Sequence, residues 1–85
     1  MPYIAKQDRN KFYQGIDNLW PANPGELNYV FTEIIYNYLE RNGEKYQTYN
    51  DIVGSLECCK MELYRRRIGT YEDKKIADNG DVVHR

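Results

Sequence analysis

Asn23-Pro24-Gly25-Glu26-Leu27-Asn28-Tyr29-Val30-Phe31-Thr32-Glu33-Ile34-Ile35-Tyr36-Asn37-Tyr38-Leu39-Glu40-Arg41-Asn42-Gly43 carries its own start, periodicity and stop. Asn23 offers a cap oxygen, Pro24 a preset φ at the first helical position, and Glu26 a carboxylate three residues after the cap, the pattern of a capping box. Leu27, Val30, Phe31, Ile34, Ile35, Tyr38 and Leu39 recur at spacings of three and four, which puts them on one broad face of a helix. Asn42-Gly43 then supplies a left-handed stop. A helix over 24–42 follows, and it sets the expectation of an all-α chain.

Upstream, Asp8 can cap a helix over about 8–20 that aligns Phe12, Ile16, Leu19 and Trp20 and ends at Pro21. Downstream, Thr48-Tyr49-Asn50-Asp51 repeats the capping logic and predicts a helix over 49–68. Tyr49, Ile52, Leu56, Cys59 and Leu63 form its stripe, and Arg67 falls on the same line. Gly54, Cys58 and Met61 lie opposite, an uncharged strip where a solvated face should carry charge. Gly69-Thr70 breaks the pattern, and Thr70-Tyr71-Glu72-Asp73 can start a short helix over 71–77. Alternatively, Lys75-Ile76 and Val82-Val83 can pair as a hairpin across Asn79-Gly80. The expected architecture is a compact three-helix domain with a short C-terminal helix or hairpin and a flexible tail, one domain over 1–85.

One domain is also what 85 residues allow, since two cores cannot be closed with so little apolar surface. The hydrophobic fraction is 41%, but it includes nine tyrosines whose hydroxyls need water or a partner, so the aliphatic supply is thin. Chains of this size draw extra stability from disulfides, a metal or a partner subunit. Cys58 and Cys59 are adjacent on a helix, where their side chains diverge by about 100° and form neither an ordinary bridge nor a zinc site. They read as reduced thiols, one of them buried, in a cytosolic protein. A homo-oligomer remains, assembled through the third helix and through tyrosine-bearing surfaces such as Tyr29, Glu33, Tyr36 and Glu40. Met1-Pro2-Tyr3-Ile4-Ala5-Lys6 starts no secretory leader, and no apolar run approaches a membrane span. A net charge of −1 draws the chain to neither extended nucleic acid nor anionic lipid. The expected setting is cytoplasmic.

Catalysis fails by elimination. The only histidine is His84, next to the end of the chain, and neither cysteine has a histidine partner. There is no Walker loop, zinc-protease motif or dinucleotide glycine fingerprint. The chain is therefore expected to bind rather than turn over, with no cofactor and no metal.

The segment that exceeds what folding needs is Tyr64, Arg65, Arg66, Arg67, Tyr71, Lys74 and Lys75. Guanidinium forks suit phosphate, and tyrosine rings offer stacking planes, so the segment is a candidate site for a phosphate-bearing small molecule. The plainer account is that cations near a helix C-terminus complement its dipole and that Glu62, Glu72 and Asp73 neutralise them. Asn28 is the second exception. It falls inside the apolar arc of its helix and is expected to be shielded, with its amide bonded to another helix or to a ligand.

Met1-Pro2-Tyr3-Ile4, Asn23 to Tyr29, Leu56-Glu57-Cys58-Cys59-Lys60-Met61-Glu62-Leu63-Tyr64-Arg65-Arg66 and Tyr71 to Val82 together resemble a family of short uncharacterised proteins from bacteria and their phages. The resemblance implies a source and a size class, without an activity. Tiny oligomeric phage proteins that sequester bacterial immune-signalling nucleotides offer an analogy of size and residue types. It suggests a non-enzymatic oligomer binding a nucleotide-like anion in the host cytoplasm. The rival is a protein-interaction module, such as a phage-encoded inhibitor or adaptor of a host protein.

Overall fold

The computed structural model describes residues 4–82, and it is all-α. A 3-10 turn, Lys6–Asp8, leads into α1, Asn10–Asp17, followed by α2, Pro24–Asn42, and α3, Tyr46–Leu63. A π-helical turn, Tyr64–Ile68, joins α3 to α4, Gly69–Asn79, without a break. The chain divides into two units, residues 1–48 and residues 49–85.

In the first unit, α2 forms where its sequence places it. Asn23 is extended, at φ −153°, and its Oδ1 accepts the Glu26 N–H at 2.9 Å. Glu26 Oε1 accepts the Ala22 N–H at 2.9 Å, so the box closes one residue upstream of its usual donor. At the other end the Gly43 N–H donates to the Leu39 carbonyl at 2.8 Å, and Gly43 takes φ 84°. Asn42 Nδ2 meets the Tyr38 carbonyl at 2.9 Å, satisfying a second terminal acceptor.

The flanking boundaries differ from expectation. Asp8 ends the 3-10 turn instead of capping α1, whose N-cap is Arg9 with no side-chain bond. The helix stops at Asp17, leaving Leu19 and Trp20 outside it, and Trp20 is 86% exposed. In a continued helix the Pro21 ring would clash with the carbonyl four residues back, that of Asp17, so the helix ends earlier than the apolar spacing implied. α3 starts at Tyr46 rather than Tyr49, which places Thr48 inside the first turn, 3% exposed, and removes it as a cap.

Leu39 is the buried apolar side chain among the described residues, at 8% exposure, with Val30, Ile35 and Ile52 half-buried. Leu27, Phe31, Ile34 and Tyr38 of α2 are exposed, as are Val53, Leu56, Met61 and Leu63 of α3.

In the second unit, the break expected at Gly69-Thr70 is absent, because Gly69 is helical at φ −58°, ψ −43°. The separate short helix over 71–77 becomes α4, and the hairpin does not form: no strand occurs among the described residues. Asn79-Gly80 acts as a second helix stop, with Gly80 at φ 85° and its N–H on the Ile76 carbonyl at 2.8 Å. The expected tail runs into Val83, His84 and Arg85, which lie outside the described residues, as do Met1, Pro2 and Tyr3.

Candidate anion-binding site

The basic segment straddles the π turn. Arg65, Arg66 and Arg67 lie within it, and Tyr71, Lys74 and Lys75 follow on α4. In the turn the Gly69 N–H reaches back five residues to the Tyr64 carbonyl, where an α-helix reaches back four. Absence of a side chain favours it, since a Cβ on Gly69 would stand 3.0 Å from that same carbonyl oxygen, a tight contact that the turn could relieve only by shifting. Isolated π turns interrupt helices rarely, and often at functional sites.

The three arginines divide their work. Arg65 Nη2 and Arg66 Nε both meet Glu62 Oε1, the former at 3.0 Å, in pairs three and four residues apart along the helix. Arg67 instead joins Arg66, Ile68, Thr70, Tyr71 and Lys74 around an open hollow of about 580 Å³. Lys75 lies over the Tyr71 ring, its Nζ 5.5 Å from the centroid, a cation–π contact that fixes one ring face. Arg66, Arg67, Tyr71 and Lys74 are thus the expected residues that converge. Arg65 is an ion-pair partner at the margin, and Tyr64 enters through its backbone carbonyl, its ring exposed. Thr70 and Ile68 line the hollow without having been singled out by residue type.

Asn28 requires a correction. It is exposed, and the group engaged is its backbone carbonyl, which accepts the Thr32 hydroxyl at 2.9 Å. Helical phase put Asn28 within an apolar arc, but that arc is itself largely exposed, so sharing a face does not shield the amide. The expectation of a buried thiol fails for the same reason, since Cys58 and Cys59 are both exposed and free. On the far side of α2, Tyr29 pairs with Glu33, whose carboxylate accepts its hydroxyl and raises the phenol pKa.

Among the described residues, no group of histidine, cysteine, aspartate and glutamate has the makings of a metal site, and no helix is long and apolar enough to cross a membrane. The family described as domain of unknown function DUF6899 matches residues 1–82. The chain belongs to that family. No curated protein and no solved structure matches it.

Proposed function

We propose that the protein is a non-enzymatic, self-associating binding protein that takes a phosphate-bearing, nucleotide-like anion at Arg66, Arg67, Tyr71 and Lys74. The observation that carries the reading is the open hollow that Arg66, Arg67, Tyr71 and Lys74 line together. A guanidinium fork and a lysine bind phosphate oxygens through charge-assisted hydrogen bonds, and the ring supplies a stacking plane.

Self-association draws support from the exposed apolar residues of α2 and α3, which are more than scattered surface hydrophobes. A second copy laid on the open hollow would exclude water and strengthen each charge-assisted bond. With the resemblance to bacterial and phage proteins, this describes a phage-encoded protein of the host cytoplasm that withholds a signalling nucleotide. The same exposed α2 face favours the rival, an adaptor or inhibitor that covers a host protein.

Native mass spectrometry of freshly purified protein separates the two, because one spectrum reports subunit number and any retained small molecule. Self-association predicts a multimer, with Gly54→Glu dissociating or unfolding it. A monomeric mass at micromolar concentration overturns self-association. A thermal-shift series with mononucleotides, cyclic dinucleotides and ADP-ribose derivatives tests the site, since a ligand of the folded state raises the melting temperature. Arg67→Gln should abolish the shift and leave assembly intact. Absence of any shift in the unmodified protein at millimolar ligand, with an empty native spectrum, favours the interaction module.

A further inference from the structure

The π turn changes which residues continue the apolar line of α3. In unbroken α geometry the line of Ile52, Leu56 and Leu63 passes through Arg67, Thr70 and Lys74, at four, seven and eleven residues beyond Leu63. A π turn accommodates one extra residue, so everything beyond it rotates back by roughly 100°, one residue's angle. Ile68, Tyr71 and Lys75 then take the line, and Arg67, Thr70 and Lys74 are set to its side. The hollow straddles that line: Ile68, half-buried, and Tyr71 lie on it, and Arg66, Arg67, Thr70 and Lys74 flank it.

We propose that Gly69 is the positioning residue of the anion site. It holds the π turn that sets Arg67, Thr70 and Lys74 beside the apolar line of α3. The proposal rests on the anion-site reading above. Two facts carry it: the five-residue bond from the Gly69 N–H to the Tyr64 carbonyl, and the 3.0 Å that would separate a Cβ on Gly69 from that oxygen. Gly69→Ala favours the ordinary α bond to the Arg65 carbonyl, and the cations swing onto the apolar line. Deleting Arg65 removes the extra residue, so a plain α-helix then presents every downstream side chain on its original face. Arg65 does not line the hollow, but it shares Glu62 with Arg66, so Arg65→Ala in the unmodified background is the control for losing that pair.

The experiment compares the unmodified protein, Gly69→Ala, and Gly69→Ala with Arg65 deleted. Inorganic pyrophosphate is the calorimetric probe, and scalar couplings across hydrogen bonds by NMR report which carbonyl the amide of residue 69 meets. Gly69→Ala should move the amide from Tyr64 to Arg65 and weaken pyrophosphate by about tenfold or more, the loss of one charge-assisted bond. The deletion should restore affinity to within about threefold. A role confined to helix stability predicts no such rescue. The proposal falls if the amide in the Gly69→Ala variant stays bonded to Tyr64, if that variant binds as tightly as the unmodified protein, or if the deletion fails to restore binding. Should the unmodified protein not bind pyrophosphate although the amide moves in the variant, the anion-site reading falls and takes the proposal with it.

Discussion

Gly43 and Gly69 each interrupt an apolar pattern, yet one ends a helix and the other lets it pass. Gly43 sits at φ 84°, ψ 147°, with its N–H on the Leu39 carbonyl, and Asn42 covers a neighbouring acceptor. Gly69 sits at φ −58°, ψ −43°, and its missing side chain admits a carbonyl instead of a turn. Gly80 repeats the first behaviour behind another asparagine, at φ 85°. Glycine permits many conformations, and its neighbours decide which is used. Asn-Gly stops a helix here twice, while Ile-Gly carries one through.

The largest loss is expected at Gly43. Its φ and ψ approach a region open essentially to glycine alone, so Gly43→Ala should cost about 1–3 kcal/mol. Gly80→Ala, in nearly the same conformation, should cost less, because the helix it ends, α4, buries no side chain, whereas α2 buries Leu39. Urea titration of both variants checks this. Equal losses would show that strain at the stop, and not the packing of the helix before it, sets the penalty.

Asn23→Ala tests the opposite end of α2. Its Oδ1 bond to the Glu26 N–H is an N-cap, and alanine at such a site costs about 1 kcal/mol. Asn23→Ser or Asn23→Asp should recover most of it, as each restores a capping oxygen. Amide exchange at Glu26 reads the effect locally, and unchanged exchange in Asn23→Ala would show that the box contributes nothing.

Helix α2 was legible because everything that defines it lies within the segment: a cap, a period and a stop separated by fixed numbers of residues. The helix class and the residue types of the hollow were legible for the same reason. The π turn was not. Whether the Gly69 amide reaches back four or five residues is a small difference between two good hydrogen bonds, and its one trace in the sequence, the five-residue step from Leu63 to Ile68, is hidden by the three arginines between them. Nor could spacing divide the arginines, because the division depends on Glu62 pairing with Arg65 and Arg66, of which only Arg66 also lines the hollow beside Arg67. Periodicity says which side chains share a face and nothing about what covers it. That is why Asn28, Cys58 and Cys59, assigned by phase, are exposed.

Gly54 is a third kind of glycine, and the effect expected there is the smallest. It lies inside α3, neither stopping the helix nor admitting a carbonyl, and nothing stands within 4 Å of a Cβ built on it. For a single chain in water, Gly54→Ala should therefore stabilise by about 0.5–1 kcal/mol, because alanine loses less backbone freedom in a helix. Self-association through the strip of Gly54, Cys58 and Met61 reverses the sign, since a second helix seated there would meet the added methyl group. The expected outcome is a melting temperature raised in dilute solution, where the chains are apart, and a weaker association constant by sedimentation at higher concentration. Among the described residues, no neighbour within the chain offers another source for such a loss, so a drop in association assigns the strip to the subunit contact. Equal stabilisation at every concentration, with association unchanged, would remove α3's uncharged strip from the interface and leave the exposed face of α2 as the surface through which copies meet.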